Sequence, residues 1–574
     1  MSISPDLRSR WHSRRWVTFA VCCVAANHFI DSVHAEDILS SEGQAWLRAA
    51  VRAGRSDLRW PDFTDYSKHV AKFYESNGYS LWWVRTMEPT PQARQMITLF
   101  QDADQKGLSP DDYGGGRWGA RLEKLKPATR RPLESDAAKF DLALTVCAMR
   151  YVSDLHIGKV NPNRLAFAFD VQAKKYNLPE FLQHHVVRAN DVAAVLAKVE
   201  PPYPGYRHTM QALQEYLELA KKDDVEQLPP PTPASKNAVI SGDVYPGAPR
   251  LRRLLRALGD LPADANLPDD QSVYDGLLVE AVKNFQARHG RDPNGRIDRQ
   301  TLADLNVPLT HRVQQIQLTL ERWRWVPTDY QPPLIVVNIP EFRLRAYDAD
   351  LTAGVSMKVV VGRSYGHHTP VFSSTMTHVV FRPYWRVPES IVRTEMSPFL
   401  SVLLTHPEYL TISGFEITDS RENVVSGKIT NQTLDQLRAG KLFLRQKPGP
   451  YNALGPVKFV FSNSYDVYMH DTPAVESFAK SRRDFSHGCI RLEKPADLAA
   501  WVLRDNAGWT PDRIRTAMNG SLTQQVHLAH PIPVLIVYGT VVVSEDGVVH
   551  FYDDIYGHDT ALQCALAKGY PYPP

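Results

Sequence analysis

The spacing of hydrophobic residues changes along the chain, and the change predicts two kinds of structure. From about Gly43 to Leu219, apolar residues recur every three or four positions, which is the spacing of helices that bury one face. Between Leu334 and Phe381, short apolar runs alternate with polar residues and are bounded by Pro, Gly and Asp, as in β-strands. The pattern therefore predicts a multi-domain α+β protein with an all-helical N-terminal scaffold, 36–235, and a mainly-β C-terminal half.

A proline-rich boundary and a compact helical unit separate these two halves. The run Leu228–Pro233 cannot continue a helix. Residues 243–307 then show apolar stripes for two helices, and a third is expected from Asp298, a suitable N-cap residue. With its strings Ala281–Gly290 and Gly295–Leu302, this unit resembles the small three-helix peptidoglycan-binding module. The resemblance implies binding to the cell-wall polymer, and a spacer of the same fold without a working groove is the alternative.

The C-terminal half is predicted as a β domain, 332–540, followed by a hairpin and tail, 541–574. The expected strands are Leu334–Ile339, Phe342–Tyr347, Met357–Val361, Val379–Phe381, Val457–Phe461, Asp466–His470, Pro533–Val543 and Val548–Asp553. Asp546-Gly547 is a common hairpin turn between the last two strands. From about 390 to 450 the strand signal lapses into mixed helix and loop, which we interpret as an insertion in the sheet domain.

The first 35 residues have the order of a secretory signal. Four arginines precede the apolar run Trp16–Ala26, and a polar stretch follows that ends at Ala35. The apolar run is about half of the roughly 20 residues that a membrane-spanning helix needs, so cleavage after Ala35 is favoured over retention as an anchor. We therefore expect a signal peptide, 1–35, and a mature protein outside the cytoplasm with no membrane span.

Charge and cysteine content narrow the chemistry of that mature protein. The chain has a net charge of +3, and removal of residues 1–35 leaves +1, so there is no electrostatic basis for binding nucleic acid. Three cysteines remain, and in an oxidising compartment an odd number leaves at least one thiol unpaired. Cys147 lies in an apolar run and is interpreted as a packing residue, whereas Cys564 has no informative neighbours. Cys489 is therefore the candidate reactive thiol.

The residues around Cys489 suit a nucleophile. A thiol needs a nearby base or cation to become a thiolate, and we expect Cys489 to be anionic near neutral pH for that reason. The candidates for this support are His470, His487 and Arg491. Tyr468 lies two residues before His470 on a predicted strand, so the two side chains face the same way. Gly488 lets the backbone approach a carbonyl closely.

The spacing between His470 and the string Ser486–Cys489, fifteen residues, resembles the signature of the L,D-transpeptidases. Similarity to the large, multi-domain branch of that family extends to Thr369–Phe372, Pro383–Pro388 and Ala453–Gly455. The resemblance implies a sandwich-like β catalytic domain, in which residues 390–450 act as a cap over the active site. It also implies a cysteine-nucleophile acyltransferase that uses no metal and no cofactor.

By this resemblance, Cys489 attacks the carbonyl between diaminopimelate and the terminal D-alanine of a donor tetrapeptide stem. D-Alanine leaves, and an amine of an acceptor stem resolves the thioester into a crosslink of the 3-3 type. His470 accepts the thiol proton, and the backbone carbonyl of Asp471 holds its ring.

The remaining site residues surround the reacting carbonyl by the same resemblance. The N–H groups of Gly488 and Cys489 are expected to form the oxyanion hole. The residues expected to line the site and position the donor are His487, Tyr468 and Ser486. Arg491 has two open interpretations, support of the thiolate or a salt bridge that braces the loop.

The resemblance also implies a cellular setting. We expect the mature protein in the periplasm of a Gram-negative envelope, with peptidoglycan stem peptides as its substrates and other wall synthases as further partners. Acylation of Cys489 by carbapenems is expected, because an activated cysteine attacks a strained amide.

Three alternatives stay open from the residues alone. A carboxypeptidase or amidase would resolve the same thioester with water. A zinc hydrolase would use His470, His487 and Cys489 as metal ligands, but it would also need a general-base carboxylate. A non-catalytic wall-binding protein would only pack Cys489.

Overall fold

A computed structural model describes most of the chain. The described residues are 39–53, 66–126, 133–223, 226–231, 237–266, 272–328, 330–364, 366–425 and 427–568. The signal peptide expected at 1–35 lies outside these ranges. Within them, no helix combines the length and the apolar character that crossing a bilayer requires.

The N-terminal region consists mainly of helices packed around one long, buried helix, α5. The helices are α1 (Ser41–Ala53), α2 (Ser67–Glu75), α3 (Pro91–Gln101), α4 (Arg117–Glu123), α5 (Glu134–Ile157), α6 (Leu178–Phe181), α7 (Val192–Leu196) and α8 (Pro204–Lys221). Single helical turns of other pitch lie at Ala103–Lys106, Pro110–Tyr113, Pro162–Leu165, Gln172–Lys174 and Leu182–Val186.

The expected helical character of the N-terminal region is confirmed, although three short strands interrupt the helices. Strand β1 (Val84–Arg85) pairs with β2 (Glu88–Pro89) in a local hairpin. Strand β3 (Phe167–Ala168) instead pairs in parallel with residues Val371 and Phe372 of the C-terminal domain. A two-residue strand that completes a distant sheet leaves no periodic signal of its own in the sequence.

The second unit contains the three predicted helices, α9 (Ala248–Ala257), α10 (Gly276–Arg288) and α11 (Arg299–Leu305). The Asp298 carboxylate accepts a hydrogen bond from the N–H of Thr301 at 2.8 Å, which confirms the expected N-cap. Two short strand pairs were not predicted: β4 (Ala238–Val239) with β7 (Ile297–Asp298), and β5 (Asp243–Val244) with β6 (Val273–Tyr274).

Helix α12 (Leu309–Trp325) connects the regions and is buried along most of its length. It packs against α8, and its Glu321 accepts a hydrogen bond from the N–H of Val160 at 2.9 Å. At its C-terminal end, Arg322 forms an ion pair with Asp559 of the tail at 2.5 Å. The N-terminal helical region, the tail and the C-terminal β domain are thus joined through one helix.

The C-terminal half is β-rich, as predicted. Its strands are β8 (Leu334–Asn338), β9 (Arg343–Tyr347), β10 (Ala353–Gly362), β11 (Val371–Phe381), β12 (Trp385–Arg386), β13 (Phe415–Thr418), β14 (Phe443–Gln446), β15 (Val457–Phe461), β16 (Met469–His470), β17 (Asp484–Ser486), β18 (Ile490–Leu492), β19 (Gln524–Val537), β20 (Val541–Val543) and β21 (Val549–Phe551). Its helices are α13 (Glu389–Thr394), α14 (Ser397–Val402), α15 (Glu408–Ile412), α16 (Asn431–Arg438), α17 (Pro495–Val502), α18 (Pro511–Asn519) and α19 (His558–Lys568), and one short helical turn lies at Val475–Ala479.

The main sheet closes on itself. Its strands pair in the order β15, β16, β18, β10, β9, β8, β19 and β11, and β15 also pairs with β11. Strand β17 adds to β10 and β3 adds to β11. The alternating inward residues fill one apolar core, so opposite sides of the ring pack face to face.

The insertion forms a small folded unit of its own. Strands β12, β14 and β13 make a three-stranded sheet, and helices α13 to α16 pack with it around a separate apolar core. The sequence showed only mixed helix and loop here, because β13 and β14 have four residues each. Hereafter, the cap means residues 385–446.

Strand β19 corrects the expected strand Pro533–Val543. It begins nine residues earlier and ends at Val537, because the Asn338 side chain bonds the N–H and the carbonyl of Gly539 and leads the chain away. The shift in register between Met376 and His378 accommodates the irregular part of β19. The hairpin of β20 and β21 is confirmed, and Gly547 adopts a φ of +84° in its turn.

Candidate active site

The register of two neighbouring strands puts Cys489 and His470 on one face of the sheet. Met469 pairs with Ile490, and both side chains lie in the apolar core. The residues on either side of this pair therefore point to the opposite face. The N–H of Ile490 donates to the carbonyl of Tyr468 at 3.0 Å, which places Tyr468 beside Cys489. Tyr468, His470 and Cys489 thus share the face away from the core.

The Cys489 thiol is half-buried and surrounded by polar groups. Its S–H donates to the carbonyl of Asp466 at a distance of 3.7 Å from sulfur to oxygen. The Tyr468 side chain lies close enough to the sulfur and to Trp385 of the cap to interact with both. Burial raises the pKa of Cys489 above its ordinary value of 9.0, although the hydrogen bonds from Tyr468 and the charge of Lys458 act in the other direction.

His470 is buried, and one of its ring nitrogens is held in a hydrogen bond to the backbone. Nδ1 lies 2.5 Å from the backbone oxygen of Asp471, so Nδ1 carries the hydrogen and Nε2 is left as the acceptor. Burial lowers the pKa of His470 to about 3, and the charges of Arg491 and Lys458 add to this shift. The imidazole is therefore neutral at physiological pH and able to accept a proton.

The directions of these two pKa shifts are opposite to the expectation of a thiolate at rest. Cys489 stays a thiol and His470 stays a neutral imidazole near pH 7, since burial disfavours the charged form of both. Among the described residues no hydrogen bond joins them, because the thiol is directed at Asp466. A proton transfer between them requires rotation of the thiol, which a bound substrate can bring about.

The loop before Cys489 is held by a chain of hydrogen bonds. Gly488 donates its N–H to the Ser486 hydroxyl at 3.1 Å, and that hydroxyl donates to the carbonyl of Cys489 at 2.5 Å. Thr369, on the next loop, donates its hydroxyl to the carbonyl of Gly488 at 2.8 Å. Gly488 has a φ of +115°, a conformation that disfavours any side chain. Ser486 and Thr369 therefore fix the backbone around Cys489.

This network changes the expected oxyanion hole. The Gly488 N–H already donates to Ser486, so it is not available to a developing oxyanion in this arrangement. Over the part of the chain that the structure describes, no acceptor engages the N–H of Cys489. Of the two expected donors, only Cys489 is poised for that task. The Ser486 hydroxyl is engaged within the loop by its bonds to Gly488 and Cys489.

His487 contacts the cap. Its Nε2 bonds Glu395, the residue that directly follows α13, and its ring lies 4.9 Å from the ring of His367. Arg363 also approaches Glu395, at 3.5 Å. The expected role of His487, placing the donor carbonyl, has no direct support in this geometry. The bond to Glu395 instead ties the cap to the loop that carries Cys489.

Two cations flank the site, and the sequence had indicated only one. Arg491 is the register partner of His470 on the neighbouring strand, and within the described ranges no salt bridge of Arg491 supports the bracing alternative. Lys458 pairs with His470 from the other side, with its ammonium 3.7 Å from the ring centre of Tyr468. Alternation within β15 put Lys458 on a polar face, but only the strand pairing brings it to the active site.

The zinc set considered from the sequence is not assembled. Within the described ranges, His367, Glu395 and His487 form a group whose side-chain donor atoms lie close enough to share a metal ion. His470 and Cys489 are not members of this group. Over the described part of the chain, Cys489 and His470 are therefore not part of a cluster of possible metal ligands.

The raised pKa of Cys489 leads to a prediction about its reactivity. Alkylation by iodoacetamide should be slow at pH 7 and rise steeply above pH 9, and Lys458→Met should move the midpoint of this profile to higher pH because a cation that favours thiolate is lost. Peptide mass mapping measures the rate, with the exposed Cys564 as an internal reference. Faster alkylation of Cys489 than of Cys564 at pH 7 would contradict the neutral thiol.

Three family models match successive parts of this chain. They are described as "Scaffold domain" for residues 68–213, "Putative peptidoglycan binding domain" for 246–305 and "L,D-transpeptidase catalytic domain" for 332–543. A curated protein of Haemophilus influenzae, named "Putative L,D-transpeptidase", is 32% identical over 254 residues. The match covers 44% of this chain and 49% of that protein, so the chain spans about half the length of the relative.

Proposed function

We propose that this chain, which carries an L,D-transpeptidase catalytic domain at residues 332–543, crosslinks peptidoglycan through a thioester on Cys489. One observation carries the proposal. A half-buried thiol shares a sheet face with His470, whose Nδ1 is bound to a carbonyl and whose Nε2 is therefore an acceptor. Nucleophilic catalysis by cysteine needs such a proton acceptor, and rotation of the thiol away from Asp466 would bring the pair together.

The first step forms the acyl-enzyme. The sulfur of Cys489 bonds to the carbonyl carbon after the L-centre of the donor's diaminopimelate, while the thiol proton passes to Nε2 of His470. The C–N bond to D-alanine then breaks, and the imidazolium returns the proton to the leaving amine. The N–H of Cys489 faces the developing oxyanion, an interaction typically worth about 10²–10³ in rate.

The second step reverses these roles. The side-chain amine of an acceptor stem attacks the thioester, His470 removes its proton, and the sulfur leaves as the restored thiol. The product is a 3-3 crosslink. Contacts of the cap with the site, through Trp385 and Glu395, support transfer over hydrolysis because they shield the thioester from water.

The flanking cations fit an anionic substrate. Arg491 and Lys458 both disfavour the imidazolium form of His470, so proton transfer is opposed in the empty site. A stem peptide brings carboxylates, and a carboxylate near these cations would offset their charge and raise the proton affinity of His470. We therefore assign Arg491 and Lys458 to substrate positioning and Tyr468 to support of the thiol.

The same proposal covers location and partners. A wall-crosslinking enzyme works where peptidoglycan is, which agrees with the secretory signal expected at 1–35 and with a periplasmic protein. Residues 246–305, which match a peptidoglycan-binding model, would hold the enzyme on its polymer. Work alongside other wall synthases is part of this proposal.

The decisive experiment identifies the product. Purified walls rich in tetrapeptide stems are incubated with residues 36–574, digested to muropeptides and analysed by mass spectrometry. New dimers joined between two diaminopimelate residues, with release of D-alanine, are the expected result, and Cys489→Ala should yield none. D-Alanine release without dimers would indicate the hydrolytic alternative. If neither D-alanine nor dimers are formed, the proposal is refuted.

Acylation by a carbapenem provides an independent test of the nucleophile. Cys489 should open the strained β-lactam amide and retain the whole inhibitor, so the intact mass should rise by that of one carbapenem. Cys489→Ala should show no increase. An equal increase on both proteins would exclude Cys489 as the reacting group.

A further inference from the structure

Three possible metal ligands meet beside the active site, on three separate segments. His367 lies on the loop between β10 and β11, His487 lies between β17 and β18, and Glu395 directly follows α13 in the cap. Their donor atoms all lie within 4.8 Å of one another. Neither the proposed acyl transfer nor the matched family descriptions gives this group a task.

The chemistry of the group is that of a transition-metal site. Two imidazoles and one carboxylate form a common set for Zn²⁺, with a fourth position left to water. Tetrahedral Zn²⁺ with bonds of about 2.0–2.1 Å holds its ligand atoms roughly 3.3 Å apart. The widest pair must therefore close by at most about 1.5 Å, while the Glu395 and His487 atoms, already in contact, must move slightly apart. Glu395 and His487 are already in contact, and both are accessible, with side chains 37% and 23% exposed.

Nearby charge does not prevent this closure. The nearest cation with a contact to the group is Arg363, whose guanidinium lies 3.5 Å from Glu395. Its side chain is 45% exposed, so it can turn into solvent when a metal neutralises the carboxylate. The His487 ring must lose the hydrogen that it shares with Glu395, as metal binding by histidine ordinarily requires.

We infer that His367, Glu395 and His487 form a binding site for a divalent transition metal, with Zn²⁺ as the best chemical match. A bound ion would cross-link the cap to two loops of the barrel. Because His487 lies two residues before Cys489, the ion would also hold the cap closed over the nucleophile. The site would therefore regulate access to the thiol without using it as a ligand.

Binding can be measured without the reactive thiol. Tag-free Cys489→Ala protein, residues 36–574, is titrated with Zn²⁺ against a chromogenic chelator, and one equivalent should bind. Adding His367→Ala or Glu395→Gln should weaken binding by about 10-fold or more. The matched control is His406→Ala, which removes another cap histidine bonded to a glutamate, at 3.1 Å from Glu408, and should leave binding unchanged.

Thermal melting guards against a folding defect. Zn²⁺ should raise the melting temperature of Cys489→Ala but not that of a folded Cys489→Ala/His367→Ala protein, because a ligand stabilises only a protein that binds it. Absence of binding in the Cys489→Ala background, or equal binding after loss of His367, would overturn the inference.

A final arm tests regulation in the wild-type protein. One equivalent of Zn²⁺ should slow carbapenem acylation of Cys489, and His367→Ala should abolish this effect. Equal slowing in both proteins would show that the ion acts on the thiol itself. Since the titration lacks Cys489, failure of the metal site and failure of the proposed acyl transfer are distinguishable.

Discussion

Replacement of Cys489 by serine should lower the rate of crosslink formation by about 10⁴-fold or more, the scale of loss seen when a nucleophile that works as a unit with its base is removed. Serine keeps the size and the hydrogen-bonding capacity of the side chain. A hydroxyl, however, is far less acidic than a thiol, and neutral, buried His470 would have to remove its proton without a preformed charge. Muropeptide dimers per enzyme per minute give the measurement.

The matched control for this variant is Cys564→Ser. Cys564 is a free, exposed cysteine on α19, so the same substitution there should leave the rate unchanged. The hydrogen bonds from Gly488 to Ser486 and from Ser486 to Cys489 do not use the side chain of residue 489. The loop should therefore keep its conformation in Cys489→Ser. A Cys489→Ser protein with more than a tenth of wild-type activity would rule out the thioester.

The strand signals in the sequence were sufficient to predict the β-rich C-terminal domain. The string Ser486–Cys489 and its spacing from His470, which resemble a family signature, singled out Cys489 as the candidate nucleophile. The alternation within Val457–Phe461 also gave that strand correctly. These are properties of short segments, which a sequence displays directly.

The pairing between distant strands and loops could not be predicted from the sequence. Lys458 becomes part of the site only because β15 lies against β16, and β3 joins the sheet only through Val371. The engagement of the Gly488 N–H depends on the rotamer of Ser486, and the contact of His487 depends on where the cap folds. Each of these is a tertiary arrangement, and no periodicity within one segment encodes it.

Burial accounts for the largest chemical difference between the site predicted from the sequence and the site in the structure. From the sequence, neighbouring imidazole and guanidinium groups favoured a thiolate at Cys489. The structure encloses both Cys489 and His470, and the cost of burying charge outweighs the attraction of nearby cations for the thiolate. A reactive pair that is neutral at rest depends on its substrate for activation, and this makes the base as critical as the nucleophile.

Replacement of His470 by asparagine should lower the rate of crosslink formation by about 10²–10⁴-fold, the usual contribution of a positioned general base. The asparagine amide can still donate to the carbonyl of Asp471, as Nδ1 of His470 does at 2.5 Å. It lacks a basic nitrogen at the position of Nε2. The comparison therefore removes proton transfer while keeping the structural bond, and the dimer assay measures the difference.

A second readout separates this role from a merely structural one. Burial lowers the pKa of His470 to about 3 in the folded protein, whereas an unfolded histidine titrates near 6.5. As pH falls, the His470 imidazole is therefore protonated in the unfolded chain before it is protonated in the folded protein. Between about pH 6.5 and pH 3 this lowers the free energy of unfolding by up to about 1.4 kcal/mol per pH unit. His470→Asn should lose this dependence, so its melting temperature should fall less than that of the wild type between pH 6.5 and pH 4.5. The flatter dependence of the melting temperature on pH would show that the variant is folded and lacks the buried imidazole. If such a variant also keeps wild-type crosslinking, His470 is not the base.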